Sequence, residues 1–195
     1  MNFRDLLNTL SPRLDETHKT HKITVYHGSN KKFNKIEPSY MLMDGSNAQE
    51  GVGIYFGDYS TAETYGDYIM SVQLDTNNFV DSYSLIGDNI KTRDLTKLCK
   101  DMYKANPEEF FYKVSDWIPI QEIEDVTDSV ISEFASTQTD EMIRYFTADF
   151  AMTFGIDVFI KSWNKHIKYV HGTFNKQLGF YAVMNTNYKL EAIDD

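Results

Sequence analysis

Two stretches decide the reading of this chain: Ile23-Thr24-Val25-Tyr26-His27-Gly28-Ser29-Asn30 and Gly51-Val52-Gly53-Ile54-Tyr55-Phe56. In the first, β-branched and aromatic residues run into a Gly-Ser-Asn turn signal, which predicts a strand over 23–26 with His27 at its end. Residues 31–50, with Pro38, Gly45 and several Asn and Ser, read as loop and deliver the chain to the second stretch, a short apolar strand. Ser60-Thr61-Ala62-Glu63 follows with the Ser-x-x-Glu spacing of a capping box, so a helix is predicted over about 60–69 with Tyr65 in its first turns.

Outward from this centre, residues 70–74 and 79–86 read as strands around the turn-like Asp75-Thr76-Asn77-Asn78. Upstream, Phe3, Leu6, Leu7 and Leu10 lie at helical spacing, and Pro12 ends that helix. From about 91 to 153 the pattern is helical, in apolar sets such as Leu95, Leu98 and Met102, then Val126, Val130, Ile131 and Phe134, then Met142, Phe146 and Phe150. Beyond Gly155, the segments Val158-Phe159-Ile160, Ile167–Val170, Gly179–Met184 and Lys189–Ile193 read as short strands. Strands, then helices, then strands suit one α+β domain over residues 1–195, with a lead-in over 1–22 and a helical insertion over about 88–153.

The composition fits a buried core: 42% hydrophobic and 14% aromatic residues are too many for a disordered chain. With 19 Lys+Arg and 29 Asp+Glu the net charge is −10, which disfavours a nucleic-acid backbone as partner because such binding is driven by cations that neutralise phosphates. The charge is uneven. Residues 88–150 hold fourteen acids against seven bases, whereas 161–189 hold five Lys and no acid, so an anionic ligand belongs near the ends rather than the middle. The acidic residues are read as solvated helix faces. No apolar run reaches the length of a membrane span, and the first residues lack a small-residue cleavage site, which points to a cytosolic protein. A composition rich in Asn, Lys, Asp and Tyr suits a phage or bacterial effector acting inside a cell.

Single motifs carry little. The one cysteine, Cys99, reads as a small buried hydrophobe. His18-x-x-His21 has no further ligand near it and reads as surface loop, while His166 and His171 read as structural, so no metal is expected. Neither a GxGxxG after a strand, nor a Walker sequence, nor a GxSxG elbow occurs.

The pair of stretches taken together does carry information. Tyr26-His27-Gly28-Ser29, followed by Gly51-Val52-Gly53-Ile54-Tyr55-Phe56 and a helix bearing Tyr65, resembles the ADP-ribosyltransferases of the diphtheria-toxin and poly(ADP-ribose) polymerase type. The resemblance covers roughly 23–86 and 155–193 and implies a split, mixed β-sandwich, with the acidic helices as an insertion. It implies NAD as cosubstrate, without a metal, and transfer of ADP-ribose to a macromolecular acceptor, expected to be a protein. Tyr55 and Tyr65 would sandwich the nicotinamide, the Gly28 backbone would hold its carboxamide, His27 would bond a ribose hydroxyl and Ser29 would reach toward the ribose or the carboxamide. Gly53, Phe56 and Phe180 complete the expected NAD-binding set, with His27 and Tyr55 as the catalytic pair. The chemistry needs such groups, because the ribose becomes oxocarbenium-like as nicotinamide leaves.

Two departures shape the expectation. The family's glutamate on a later strand is replaced by Phe180, in Gly179-Phe180-Tyr181-Ala182-Val183-Met184, which resembles the mono-ADP-ribosyltransferases and argues against chain elongation. Strand alternation places Gln177 on the opposite face from Phe180, and Glu191 on the following strand, so neither is the expected substitute. Ala62 stands where some members carry a serine, which weakens the grip on the carboxamide by about 1 kcal/mol. The alternative reading is an inactive module that keeps the fold and binds a partner through its acidic helices.

Overall fold

The computed structural model describes residues 21–41 and 51–193. The helix expected over 2–10, most of the lead-in and His18 lie outside the described residues. Among the described residues, seven strands form two sheets. They are β1 (Lys22–Ser29), β2 (Ile54–Phe56), β3 (Tyr68–Asp75), β4 (Phe79–Asp81), β5 (Gly172–Asn175), β6 (Phe180–Val183) and β7 (Glu191–Ile193). One sheet has the order β1-β3-β7 and the other β2-β6-β5-β4; all pairs are antiparallel except β4 with β5. The helices are α1 (Tyr59–Ala62), α2 (Ile86–Asn89), α3 (Thr92–Ala105), α4 (Pro107–Ser115), α5 (Asp128–Thr137), α6 (Ile143–Phe154) and α7 (Ile156–His166). The class is α+β, with one antiparallel and one mixed sheet.

β1 forms because Val25 turns inward while Thr24 and Tyr26 face out, and the whole strand is paired, Lys22 with Asp75 through Ser29 with Tyr68. The turn at Asp75 is as predicted: the Asp75 carboxylate accepts from Asn77 N and caps a 3-10 turn, Thr76–Asn78. One continuous core joins Val25, Val72 and Leu74 of the first sheet to Ile54, Phe56 and Val183 of the second and to the helical residues Leu98, Phe134 and Trp163. Asp101 on α3 ties that helix to α7 by accepting from Ser162 Oγ at 3.2 Å, Lys165 Nζ at 3.1 Å and His166 Nε2 at 2.9 Å. Burial works to raise the Asp101 carboxyl, but the bonds from His166 and Lys165 outweigh it and hold the group below the usual carboxylate range.

Several expected boundaries move. Val158-Phe159-Ile160 is helical, because Ile156, Phe159, Ile160 and Trp163 recur at period 3.6 and bury one face of α7; the insertion thus runs to His166, past the expected 153. Ile167–Val170 is a turn rather than a strand, and Trp163 Nε1 donates to the Val170 carbonyl across it. The strand expected over 79–86 stops at Asp81, whose side chain accepts from Tyr83 N and turns the chain toward α2. β5 has no sequence expectation behind it. Its Gly172 lies so close to β6 that an added Cβ would stand 2.0 Å from the Ala182 carbonyl oxygen. The helix expected over 60–69 is only α1: Asp58, not Ser60, is the cap, its carboxylate accepting from Thr61 N at 2.7 Å and Ser60 Oγ at 2.9 Å.

Candidate functional site

The two sheets meet in the second half of β1. Tyr26 and Gly57 exchange both backbone hydrogen bonds, each at 2.9 Å, and so join β1 to the residue after β2. In an antiparallel pair the peptide groups of successive residues face alternate sides. Tyr26 directs its N–H and C=O away from β3, so Gly28, two residues on, directs its own N–H and C=O to the same outer edge of β1. Gly28 has to be glycine here, because an added Cβ would stand 1.8 Å from the Ala62 carbonyl oxygen. A Cβ on Gly66 would likewise lie 2.2 Å from the Ser29 carbonyl carbon. The segment 62–66 is therefore pressed along 28–30.

His27 is the link between the two motifs. Its Nδ1 lies 2.7 Å from the carbonyl oxygen of Tyr55. A carbonyl only accepts, so Nδ1 carries the proton and Nε2 of the neutral ring is left as an acceptor. Burial pushes the imidazole below its ordinary value of 6.5, against the bond to Tyr55, which works the other way; the ring is neutral at pH 7. Phe33 meets it edge-on at 5.4 Å and Phe56 packs at 5.5 Å, while Tyr40 stacks on Phe33 at 5.0 Å. Phe33 and Tyr40 had no motif to mark them; Phe33 reaches His27, and Tyr40 reaches Phe33, only because the loop after β1 folds back.

Tyr55 is half-buried, its hydroxyl donating to the Gly51 carbonyl at 2.7 Å and its ring 5.2 Å from that of Phe180. The β2–β6 register pairs Tyr55 with Ala182, so Phe180, which shares the Ala182 face by alternation, falls on the Tyr55 side two residues along. Gly51, at φ +98, is wedged on α6: a Cβ there would meet Thr147 Oγ1 at 3.1 Å and Arg144 Cα at 3.2 Å. Val52 N also points at Thr147 Oγ1, at 3.4 Å. The helical section thus backs the loop that orients Tyr55, a contribution with no signature in the sequence. Gly53 packs on the β6 backbone, where a Cβ would stand 2.8 Å from Val183 N.

The remaining site residues are less well gathered. Ser29 Oγ accepts from Lys31 N at 3.2 Å, within its own turn. Tyr65 lies in the turn after α1 rather than within a helix, and it is 69% exposed. Phe56 is fully buried and serves as a wall behind His27. Gln177 sits in the turn before β6, its N–H donating to Asn175 Oδ1, and Glu191 is exposed at the start of β7. A cavity of about 280 Å³ lined by Thr24, Ser71, Gln73, Tyr188, Lys189 and Glu191 lies elsewhere. Thr24, Ser71 and Gln73 occupy the face of β1–β3 opposite to His27. Among the described residues no group of three or more His, Cys, Asp or Glu could hold a metal ion, and no helix is long and apolar enough to cross a membrane.

No family model matches this chain, and no curated protein matches it. A solved structure described as a crystal structure of an anti-CRISPR protein aligns over 88% of this chain and 96% of that one, with 11% identity and a TM-score of 0.37. A likeness that slight carries no argument about fold or function.

Proposed function

We propose that the chain is a mono-ADP-ribosyltransferase that uses NAD and modifies a macromolecular acceptor, expected to be a protein. The supporting observation is the seam itself: His27, latched to the Tyr55 carbonyl, stands beside an outer strand edge on which Gly28 presents an N–H and a C=O. A primary carboxamide is the complement of such a pair, since it accepts through its oxygen and donates through its nitrogen. Tyr55 offers a ring held at its far end by the Gly51 carbonyl, and His27 offers Nε2 to a hydroxyl donor. NAD supplies both of these groups, a nicotinamide carboxamide and ribose hydroxyls.

In this reading the bond from ribose C1′ to the nicotinamide nitrogen breaks, and nicotinamide leaves with the electron pair. The acceptor nucleophile then bonds to C1′ and loses its proton to solvent. The neutral His27 accepts a hydrogen bond from a ribose hydroxyl and fixes the sugar as it flattens toward an oxocarbenium ion. Phe180, packed on Tyr55, places an apolar ring where the family carries its carboxylate, which fits single transfer rather than elongation.

The same residue favours a second reading, an inactive NAD-fold module that binds a partner. Incubation with labelled NAD and a lysate decides between them. Transfer of label to a discrete protein, with nicotinamide released and both signals lost in His27→Ala, supports the enzyme. Absence of both signals from folded protein, with partner capture unchanged by His27→Ala, supports the module.

A further inference from the structure

The helical section carries large apolar side chains that the core does not use. Trp117, in the turn after α4, is 52% exposed, Tyr112 on α4 is 57% exposed, and Ile123 is also open to solvent. All three belong to one local unit: Trp117 N donates to the Val114 carbonyl as α4 ends, and the 3-10 turn Ile123–Asp125 lies against α4. An exposed tryptophan and an exposed tyrosine five residues apart in one such unit are the residue chemistry that dominates binding interfaces.

Charge says what would cover it. Residues 107–128 hold seven acids and one base, a net 1 − 7 = −6. The base, Lys113, is turned inward to Asp149 and the Phe150 ring, and Asp128 is taken by Lys100, so neither alters the outer face. Glu108, Glu109, Asp116, Glu122, Glu124 and Asp125 stay exposed on the same stretch of chain as Tyr112 and Trp117. Aromatic faces ringed by carboxylates are complementary to Lys and Arg side chains, whose aliphatic stems cover the rings while their cations meet both the π faces and the acids. We propose that α4 and the turns after it are the docking surface for a Lys/Arg-rich segment of a partner protein. The surface does not involve His27, so binding there does not depend on transfer chemistry.

The probe is a fluorescein-labelled synthetic peptide of alternating lysine and glycine, with an alternating glutamate and glycine peptide as control, in 150 mM salt. Anisotropy is expected to show saturable binding of the lysine peptide alone, weakened about tenfold in Trp117→Ala and in Tyr112→Ala, and lost when Glu122→Lys and Glu124→Lys are combined. Because Trp163 is fully buried, the unlabelled lysine peptide is expected to shield the acrylamide-accessible tryptophan, which is Trp117. Both aromatic positions are exposed, so these variants retain the fold. Equal affinity in Trp117→Ala and Tyr112→Ala, equal binding of the glutamate peptide, or no binding to the native chain would each overturn the assignment.

Discussion

Replacing Gly28 by alanine tests whether the seam is built as described. The added Cβ would lie 1.8 Å from the Ala62 carbonyl oxygen and 2.8 Å from its carbon, against a comfortable separation of about 3.5 Å. Both obstacles are backbone atoms, so no rotamer change relieves them, and β1 and the segment 62–66 must part by more than about 1 Å. Buried Ala62 and the Gly66–Ser29 contact move with them. Overpacking of this kind costs about 3 kcal/mol, the upper end of the usual range, which for a chain of this size lowers Tm by about 6–12 °C. Gly57→Ala is the internal comparison: its backbone is not left-handed and an added Cβ meets nothing nearer than Thr61 Cβ and Cγ2 at 3.7 Å, an ordinary contact, so a change within about 1 kcal/mol, or about 2–4 °C, is expected. Scanning calorimetry of the two variants beside the native chain gives the contrast, and nicotinamide release in Gly28→Ala should fall with its Tm. Equal melting of the two variants would refute the close approach of β1 to residues 62–66.

Burial depresses both His27 and His171 below 6.5, so the unfolded chain binds more protons than the folded one under acid conditions. Stability should be complete above about pH 6.5 and decline as the pH falls below it toward the folded values; urea midpoints across that range should drop, with a shallower slope in His27→Gln. Tyr55→Phe deletes the 2.7 Å bond to Gly51 and should cost about 1 kcal/mol in urea unfolding while raising the KM for NAD more than it lowers kcat; an unchanged KM would separate ring orientation from NAD binding. Asp101→Ala leaves buried Ser162 Oγ without its acceptor and removes the partner of His166 and Lys165, so a loss of about 1–3 kcal/mol with unchanged nicotinamide release is expected. Phe180→Ala removes the ring packed on Tyr55 and should destabilise by about 1 kcal/mol or more, read from the same urea curves.

The strand ends of the candidate site were legible because their signals are local. β-branched residues before His27-Gly28-Ser29 and the Gly-x-Gly-Ile-Tyr-Phe run each name a strand, and alternation groups Phe180 with Ala182 on one face of β6, but only the pairing of Tyr55 with Ala182 shows that this is the Tyr55 side. What failed was whatever a neighbour decides. The capping box at Ser60 and Glu63 was a sound local pattern, but Asp58 offers a carboxylate to Thr61 N, and the chain must leave the helix early to lay Gly66 on Ser29. The Val-Phe-Ile run at 158–160 was too short to reveal its period until Ile156 and Trp163 are counted with it. Gly51 and Thr147, distant in sequence, meet only through the packing of α6, and no spacing rule connects them.

That last contact gives the helical section a standing its position as an insertion does not suggest. If Gly51 can hold the Tyr55 hydroxyl only while α6 stands behind it, the strands are not a self-sufficient scaffold onto which helices were later added. Trimming the chain to its two sheets would remove the support behind Gly51 and Val52, and a foreign helical segment grafted in its place would have to seat Gly51 as closely as Thr147 and Arg144 do. The two halves share their changes: a substitution that displaces α6 is passed through Gly51 and Val52 to the loop whose carbonyl holds the Tyr55 hydroxyl.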